Sequence, residues 1–202
     1  MAGPPPRPAL SRRQAVSPPD PRLNAWREDL ADARLKGIVA APRYARGRPA
    51  RIVVGQAPVH RRPDPDAPID TFHHYGDPML VFAKNGRYAW CQSLVDNYVG
   101  YVARPQIARG DATRPTHIVA TLGSYRYAAP DLRSRAIDFL PRHSPVVVAE
   151  SGFETRGTLY ARLDCGGFLP VSCLSSEPPR SPDLVAAAAL YLGCPYLWGG
   201  RS

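Results

Sequence analysis

The sequence predicts a mainly β protein that contains two small β-barrels in tandem. The chain of 202 residues holds 24 prolines and 16 glycines, which favour turns and short strands over long helices. Its apolar residues fall in short runs that are bounded by turn residues. The same order of runs occurs twice, at an offset of roughly 67 residues, and such an offset indicates two copies of a small domain.

The charge of the chain is uneven. The net charge is +9, but residues 1–50 carry ten Lys or Arg and only four Asp or Glu. A basic leader could touch nucleic acid or anionic lipid, or it could be a solvated tail. We interpret it as a solvated tail and expect no nucleic-acid partner. With no run of eighteen apolar residues, we also expect no membrane span.

The first 49 residues divide into a leader and an arm. Residues 1–20 are rich in Pro, Arg and Ala without periodicity, which predicts a disordered leader. In residues 21–49, Leu23, Trp26 and Leu30 recur at spacings of three and four. This pattern allows either a short amphipathic helix or a docked arm, so we expect a partly helical arm. Its apolar side chains need a partner surface on the folded body.

The first barrel is predicted at residues 50–110. Its turn signal is Lys84-Asn85-Gly86-Arg87, which we interpret as a hairpin centred on Asn85-Gly86. The flanking runs predict strands at 51–54, 79–82, 88–92 and 98–102.

The second barrel is predicted at residues 113–178, with a boundary near 108–115 and two separable domains. Each of its runs matches a run of the first barrel. Thr116–Val119 matches the opening strand, and residues 136–138 match residues 68–70. Residues 144–148 match residues 77–81, and residues 166–170 match residues 98–102.

The last segment, residues 181–202, begins with helix-start signals. Ser181 can cap free N–H groups, Pro182 fits the first helical position, and Asp183 complements the positive helix end. An apolar stripe follows at Leu184, Val185, Ala188 and Leu192. Gly193 suits the left-handed position after a helix, and Pro195 prevents its continuation.

The final motif carries a family resemblance. A helix, then Gly193-Cys194-Pro195-Tyr196, then Trp198-Gly199-Gly200 resembles the opening of an NlpC-type cysteine peptidase domain, which has a papain-like α+β fold. The two preceding barrels resemble bacterial SH3-like domains, whose closing Gly-aromatic-Val step is similar to Gly100-Tyr101-Val102. The whole arrangement resembles a murein-peptide endopeptidase with tandem SH3-like domains.

The resemblance implies an enzyme that cleaves γ-D-glutamyl–diamino-acid bonds in peptidoglycan-derived peptides, without a cofactor. In such peptidases the nucleophile follows the Trp-Gly-Gly turn in an Asp-Cys-Ser-Gly step. Nothing follows Ser202 here, so we expect a chain truncated before its catalytic Cys. The alternative is a non-catalytic SH3-like module that binds cell-wall peptides or a protein partner. The oligomeric state is not indicated by the sequence.

The chain's own cysteines and histidines do not complete a catalytic site. Cys194 would end a helix, where the macrodipole disfavours a thiolate. The spacing predicts no catalytic residue and no metal site among these side chains: Cys91, Cys165, Cys173, Cys194, His60, His73, His74, His117 and His143. We interpret the cysteines as free thiols. With no apolar signal region at the N-terminus, they favour a cytoplasmic location.

Three aromatic residues are the candidate substrate-binding residues. By resemblance, the first barrel lends an aromatic residue to the catalytic groove, and Tyr98 is the matching position. A core aromatic that closes the barrel is the alternative for Tyr98. Tyr196 and Trp198 come from the opening of the peptidase domain, where Trp198 would either line the groove or pack beneath the nucleophile's helix.

One position departs from the family pattern. Relatives commonly carry a Glu that meets the substrate's amine, but Phe72 stands there in this chain. Asp70 or Asp77 could supply the missing acid.

We predict that a polypeptide of these 202 residues has no peptidase activity. No Cys follows Trp198 and no His follows His143, so no thiolate–imidazole pair can form in the family's order. Release of the diamino acid from a γ-D-glutamyl–diamino-acid peptide should stay at background. Turnover that is lost on thiol alkylation would contradict this prediction.

Overall fold

The computed structural model describes residues 17–110, 114–177 and 184–200, and over these residues the protein is mainly β, as the sequence predicts. Most of the predicted leader, residues 1–16, lies outside the described residues. Its last four residues are described, and the Asp20 carbonyl accepts hydrogen bonds from the N–H groups of Leu23 and Asn24. The defined chain therefore begins before the predicted end of the leader.

The arm forms short strands where the spacing allowed an amphipathic helix. Its elements are β1 (Trp26–Arg27), β2 (Leu30–Asp32), a 3-10 turn at Ala33–Leu35 and β3 (Tyr44–Ala45). Strand β2 pairs antiparallel with β1 and parallel with β3.

The arm is docked on the folded body, which is the alternative that the sequence left open. Ala25 and Leu30 are buried against Trp90 and Val99. Burial on this surface outweighs the weak helical preference of so short a segment.

The first β unit, residues 48–109, is a single antiparallel sheet. Its strands are β4 (Arg48–Ile52), β5 (Gln56–His60), β6 (Ile69–His74), β7 (Pro78–Asn85), β8 (Tyr88–Ser93), β9 (Val99–Ala103) and β10 (Ile107–Arg109). They lie in the order β10-β4-β7-β8-β9-β5-β6, so β6 is an edge strand. Alternating apolar residues fill the core: Ala50, Ile52, Ala57, Val59, Met79, Cys91 and Val102.

The predicted β7–β8 hairpin is present, with its turn one residue later than expected. Asn85 pairs with Tyr88, so the two loop residues are Gly86 and Arg87. Gly86 has a φ of 56°, which a glycine adopts without strain.

The second β unit, residues 117–175, repeats the order of elements of the first. Its strands are β11 (His117–Val119), β12 (Gly123–Tyr127), β13 (Ala136–Pro141), β14 (Pro145–Val146), β15 (Val148–Thr155), β16 (Thr158–Leu163), β17 (Phe168–Pro170) and β18 (Leu174–Ser175). They form a three-stranded sheet β14-β11-β18 and a five-stranded sheet β13-β12-β17-β16-β15. A 3-10 turn precedes the last strand of each unit, at Arg104–Gln106 and Val171–Cys173.

One aromatic residue of the first unit is buried in the core of the second, whereas the separability of the two domains stays a prediction. Tyr75 follows β6 in the first unit, yet it is fully buried in the cluster of the second unit with Val119, Leu140 and Leu163. Burial, together with the neighbouring Cys165, raises the pKa of Tyr75. At the equivalent position of the second unit, Arg142 turns back and donates to the Ala120 carbonyl at 2.7 Å.

A largely buried ion pair of the second unit lies at the same interface and bonds to the first unit. Arg126 donates to both carboxylate oxygens of Asp138, at 2.9 and 2.8 Å, and also to the Val53 carbonyl of the first unit at 3.1 Å. The Asp138 carboxylate accepts the Gly55 N–H at 2.8 Å. These additional bonds satisfy charges that would otherwise be costly to bury.

The last described segment contains the predicted helix in a shorter form. Helix α1 spans Leu184–Ala189, and the predicted start signals at residues 181–183 lie outside the described residues. Gly193 has the expected left-handed conformation, with a φ of 85°. Leu184 and Leu192 are each 84% exposed, so the apolar stripe is not covered by the described residues.

We predict that Tyr75→Ala destabilises the protein by about 3–5 kcal/mol, because it leaves a cavity in a core to which both units contribute. Urea unfolding measures the loss. Tyr125→Ala is the matched control, since Tyr125 is 54% exposed. Equal, small losses in the two variants would show that Tyr75 does not hold the units together.

Candidate functional site

The Trp198-Gly199-Gly200 turn lies against the edge strand β6 of the first β unit. The Trp198 indole N–H donates to the Asp70 carbonyl at 2.9 Å. Gly199 has a φ of 69°, and a Cβ at this position would lie 2.7 Å from the Thr71 Cα. Only glycine permits this approach of one backbone to another. The motif that resembles a peptidase opening is thus in direct contact with the first unit.

The side chain of Asp70 faces a cleft between the arm and the first unit. The cleft has a volume of about 400 Å³, and its lining includes Arg22, Trp26, Arg61, Asp70 and Tyr101. Arg61 Nε lies 2.6 Å from an Asp70 carboxylate oxygen. The cleft therefore holds one acid among several guanidinium groups.

The arm side of the cleft is held by polar contacts. The Arg27 guanidinium lies 4.5 Å from the centroid of the Trp90 ring and donates to the Tyr101 hydroxyl at 2.8 Å. The Arg22 carbonyl accepts the Val99 N–H at 2.8 Å. These contacts combine cation–π attraction with hydrogen bonds and attach the arm to the first unit beside the cleft.

The Arg22 side chain links two of the candidate residues electrostatically. Its hydrogen bond with the Asp20 carboxylate is the main reason that its pKa is raised, and the nearby Tyr98 and Asp70 raise it further. The guanidinium at the mouth of the cleft is therefore charged at every physiological pH.

The three predicted aromatic residues occupy different positions. Tyr98 is half-buried beside the cleft, since it directly precedes the lining residue Val99. Its backbone is fixed by bonds to the Asp96 carboxylate and the Ser93 N–H. Trp198 touches β6 but is 62% exposed, and Tyr196 is 84% exposed. The structure thus brings Trp198 to the backbone of Asp70, and neither Trp198 nor Tyr196 is among the residues that line the cleft.

Of the two acids that could replace the expected Glu, only Asp70 lies at the cleft. Asp77 is buried in the turn after β6, where its carboxylate accepts the His74 N–H at 2.8 Å. Phe72 is half-buried on β6, two residues beyond Asp70, and alternation along a strand gives the two side chains the same face.

The cysteines of the described residues serve structural roles or lie apart from the cleft. Cys91 is fully buried in the core of the first unit, and burial raises the pKa of its thiol to about 12. Cys165 accepts a hydrogen bond from Arg51 Nη2 at 2.9 Å. Cys194 is exposed after helix α1.

The described part of the chain shows neither a metal site nor a membrane-spanning helix. In that part, no group of three or more His, Cys, Asp or Glu side chains is arranged to hold a metal ion. No helix there combines the length and apolarity that crossing a bilayer requires.

The sequence did not predict the arginines of the cleft. Arg22 and Arg27 belong to the arm, whose docking could not be placed from spacing alone, and Arg61 follows the β5 strand without a distinguishing motif. The run Asp20-Pro21-Arg22 is the one usable signal, because an Asp before Pro favours a turn that orients the residues after it.

Comparisons with known proteins agree with the resemblance of the first β unit to a bacterial SH3-like domain. Residues 59–107 match the family model described as the bacterial dipeptidyl-peptidase Sh3 domain. The chain is 24% identical over 153 residues to the γ-D-glutamyl-L-lysine dipeptidyl-peptidase of Bacillus subtilis (strain 168), which covers 68% of this chain and 49% of the relative. The chain therefore spans about half the length of that relative.

A solved structure shares the fold. An NlpC/P60 family protein from Bacillus cereus ATCC 10987 superposes with a TM-score of 0.58 at 16% identity, over 75% of this chain and 66% of that protein. The domain match, the curated relative and this shared fold support an NlpC-type, SH3-containing peptidase as the kind of protein to which the chain is related.

We predict that Gly199→Ala releases the turn from β6, because the added methyl group collides with the Thr71 backbone. The Trp198 indole N–H should then exchange with water at least several-fold faster in NMR spectra, with its cross-peak assigned through Trp198→Phe. Gly193→Ala is the matched control: its φ of 85° is equally strained, but no atom lies within 4 Å of the added Cβ. If the two variants change indole exchange equally, backbone strain and not docking explains the effect.

Proposed function

We propose that the chain is the substrate-gating N-terminal part of a cysteine endopeptidase that cleaves γ-D-glutamyl–diamino-acid bonds in peptidoglycan-derived peptides. The relative from Bacillus subtilis supports the bond type through its name, a γ-D-glutamyl-L-lysine dipeptidyl-peptidase. The observation that carries the proposal is the contact of Trp198 with Asp70, which joins the opening of the peptidase motif to the cleft of the first β unit.

In this proposal, the cleft selects short peptides by charge. A substrate of this type has a free ammonium group at one end and carboxylates beyond it. The Asp70 carboxylate accepts the ammonium in place of the acid that Phe72 lacks. The Arg22 and Arg61 guanidinium groups face the carboxylates, for which their planar fork is suited.

Tyr98 and Trp198 border the peptide on two sides. Both rings are only partly covered by the described residues, so each can pack on a bound substrate. Tyr196 completes the candidate set if it turns inward when a substrate is bound.

The chemical step is assigned to a peptidase domain that continues from the Trp198-Gly199-Gly200 turn. A thiolate there attacks the γ-carbonyl, the amine of the diamino acid leaves with a proton from an imidazolium, and water then releases the acyl group from sulfur. The described residues hold and orient the peptide; they do not form the acyl-enzyme.

We predict that Asp70→Asn, in a polypeptide that includes the continuing peptidase domain, lowers kcat/KM for peptides with a free amine by roughly ten- to a hundredfold. This range corresponds to the loss of one charge-assisted hydrogen bond of about 1.5–3 kcal/mol. Hydrolysis of an N-acetylated peptide, which has no ammonium group, should change little. Asp66→Asn is the matched control, since Asp66 is an exposed loop residue outside the cleft.

Three results would contradict the proposal in different ways. Equal losses of kcat/KM for free-amine and N-acetylated peptides would show that Asp70 supports the fold and does not bind the substrate's ammonium group. Absence of cleavage by the longer polypeptide would remove the enzyme assignment. Tight binding of the peptides without cleavage would favour the non-catalytic binding module.

A further inference from the structure

A second concave surface on the first β unit has a different composition from the Asp70 cleft. Two clefts, of about 780 and 950 Å³, share Val81, Lys84 and Arg109 in their lining and so adjoin along β7 and β10; together we call them the basic trough. None of the residues that line the trough lines the Asp70 cleft.

Among the described residues, the charged side chains that line the trough are all basic. Six basic side chains line it: Arg46, Arg48, Lys84, Arg87, Arg104 and Arg109. Within the described residues none of the six is in an ion pair, whereas Arg22, Arg27, Arg61 and six other arginines do pair with carboxylates. The positive charge of the trough is therefore not neutralised from within the described chain.

The geometry brings these charges close together. Arg104 is fixed beside the β7–β8 turn, where its Nη1 donates to the Gly86 carbonyl at 3.1 Å. The charges of Arg109, Arg104 and Arg48 lower the pKa of Lys84, with Arg109 the largest cause. Like charges that face one another in a concave surface raise the local concentration of anions.

The walls of the trough distinguish between anionic ligands. Between the cations lie the aliphatic side chains of Val81, Ala89 and Ile107, and the aromatic residue of the lining, Phe82, is half-buried against Trp90. Single-stranded nucleic acid is bound through exposed aromatic rings that stack on bases. A membrane surface requires a flat or protruding face with apolar tips.

We propose that the basic trough binds a flexible linear polymer that carries repeated phosphate groups and no bases. Arginine binds phosphate through paired N–H groups, and Lys84 at the junction of the two clefts adds a compact charge. Two adjoining basic clefts suit a chain better than a single ion, because phosphates spaced along the polymer can meet guanidinium groups in both. This interaction is independent of the proposed peptidase substrate.

The test uses the 202-residue chain and inorganic polyphosphate labelled at one end, with binding followed by fluorescence anisotropy. Lys84→Gln/Arg109→Gln should weaken binding at least tenfold. It should also reduce the slope of log K against log salt concentration by about 1.4, since each phosphate contact on a single strand contributes about 0.7. Arg133→Gln/Arg135→Gln, two exposed residues of the second unit, is the matched control for net charge and should leave affinity and slope nearly unchanged.

The leader is present in all variants, so its charge cannot produce a difference between the two double variants. Equal losses in both would show non-specific attraction and overturn the proposal. No loss in either variant would overturn it as well. Tighter binding of single-stranded DNA, or of vesicles with anionic lipid, than of polyphosphate would replace it with a nucleic-acid or a membrane surface.

Discussion

The buried Arg126–Asp138 pair is the interaction on which the arrangement of the two units depends. Its guanidinium and carboxylate bind backbone groups of the first unit, at Val53 and Gly55, while both belong to the second. Removal of one partner would leave an uncompensated buried charge, which is far more costly than any surface ion pair. The Arg126 guanidinium also lies over the Tyr75 ring, 5.2 Å from its centroid, so polar and aromatic contacts occur at the same place in the interface.

Strand β6 connects the interface between the two units to the candidate site. Asp70 and Tyr75 lie at opposite ends of the same β6 segment, and the ring of Tyr75 is locked in the neighbouring core. The edge strand that receives Trp198 is consequently anchored at its far end by the second unit. The second unit thus contributes to the cleft without lining it, through the position of β6.

The sequence predicted the elements well and their contacts poorly. Turn residues such as Gly86 and the alternating runs were sufficient for the strands and for the mainly β class, because these signals are local. The docking of the arm and the insertion of Tyr75 depend on surfaces that come from distant parts of the chain. For the site, resemblance pointed to Trp198, whereas Arg61 carries no local signal and Arg22 only the Asp20-Pro21 turn before it. The sequence also did not show how the charges of the first unit are distributed: Asp70 is paired with Arg61 at one cleft, while the charged residues described along the trough are all basic.

The difference between Tyr75 and Arg142 makes the two units non-equivalent, because only the first places a side chain in the core of the other. The two residues follow equivalent strands. Tyr75 places its aromatic ring in the core of the second unit, whereas the side chain of Arg142 donates to the Ala120 carbonyl of its own unit. A further copy placed after the second unit would therefore meet no aromatic side chain at the position equivalent to Tyr75.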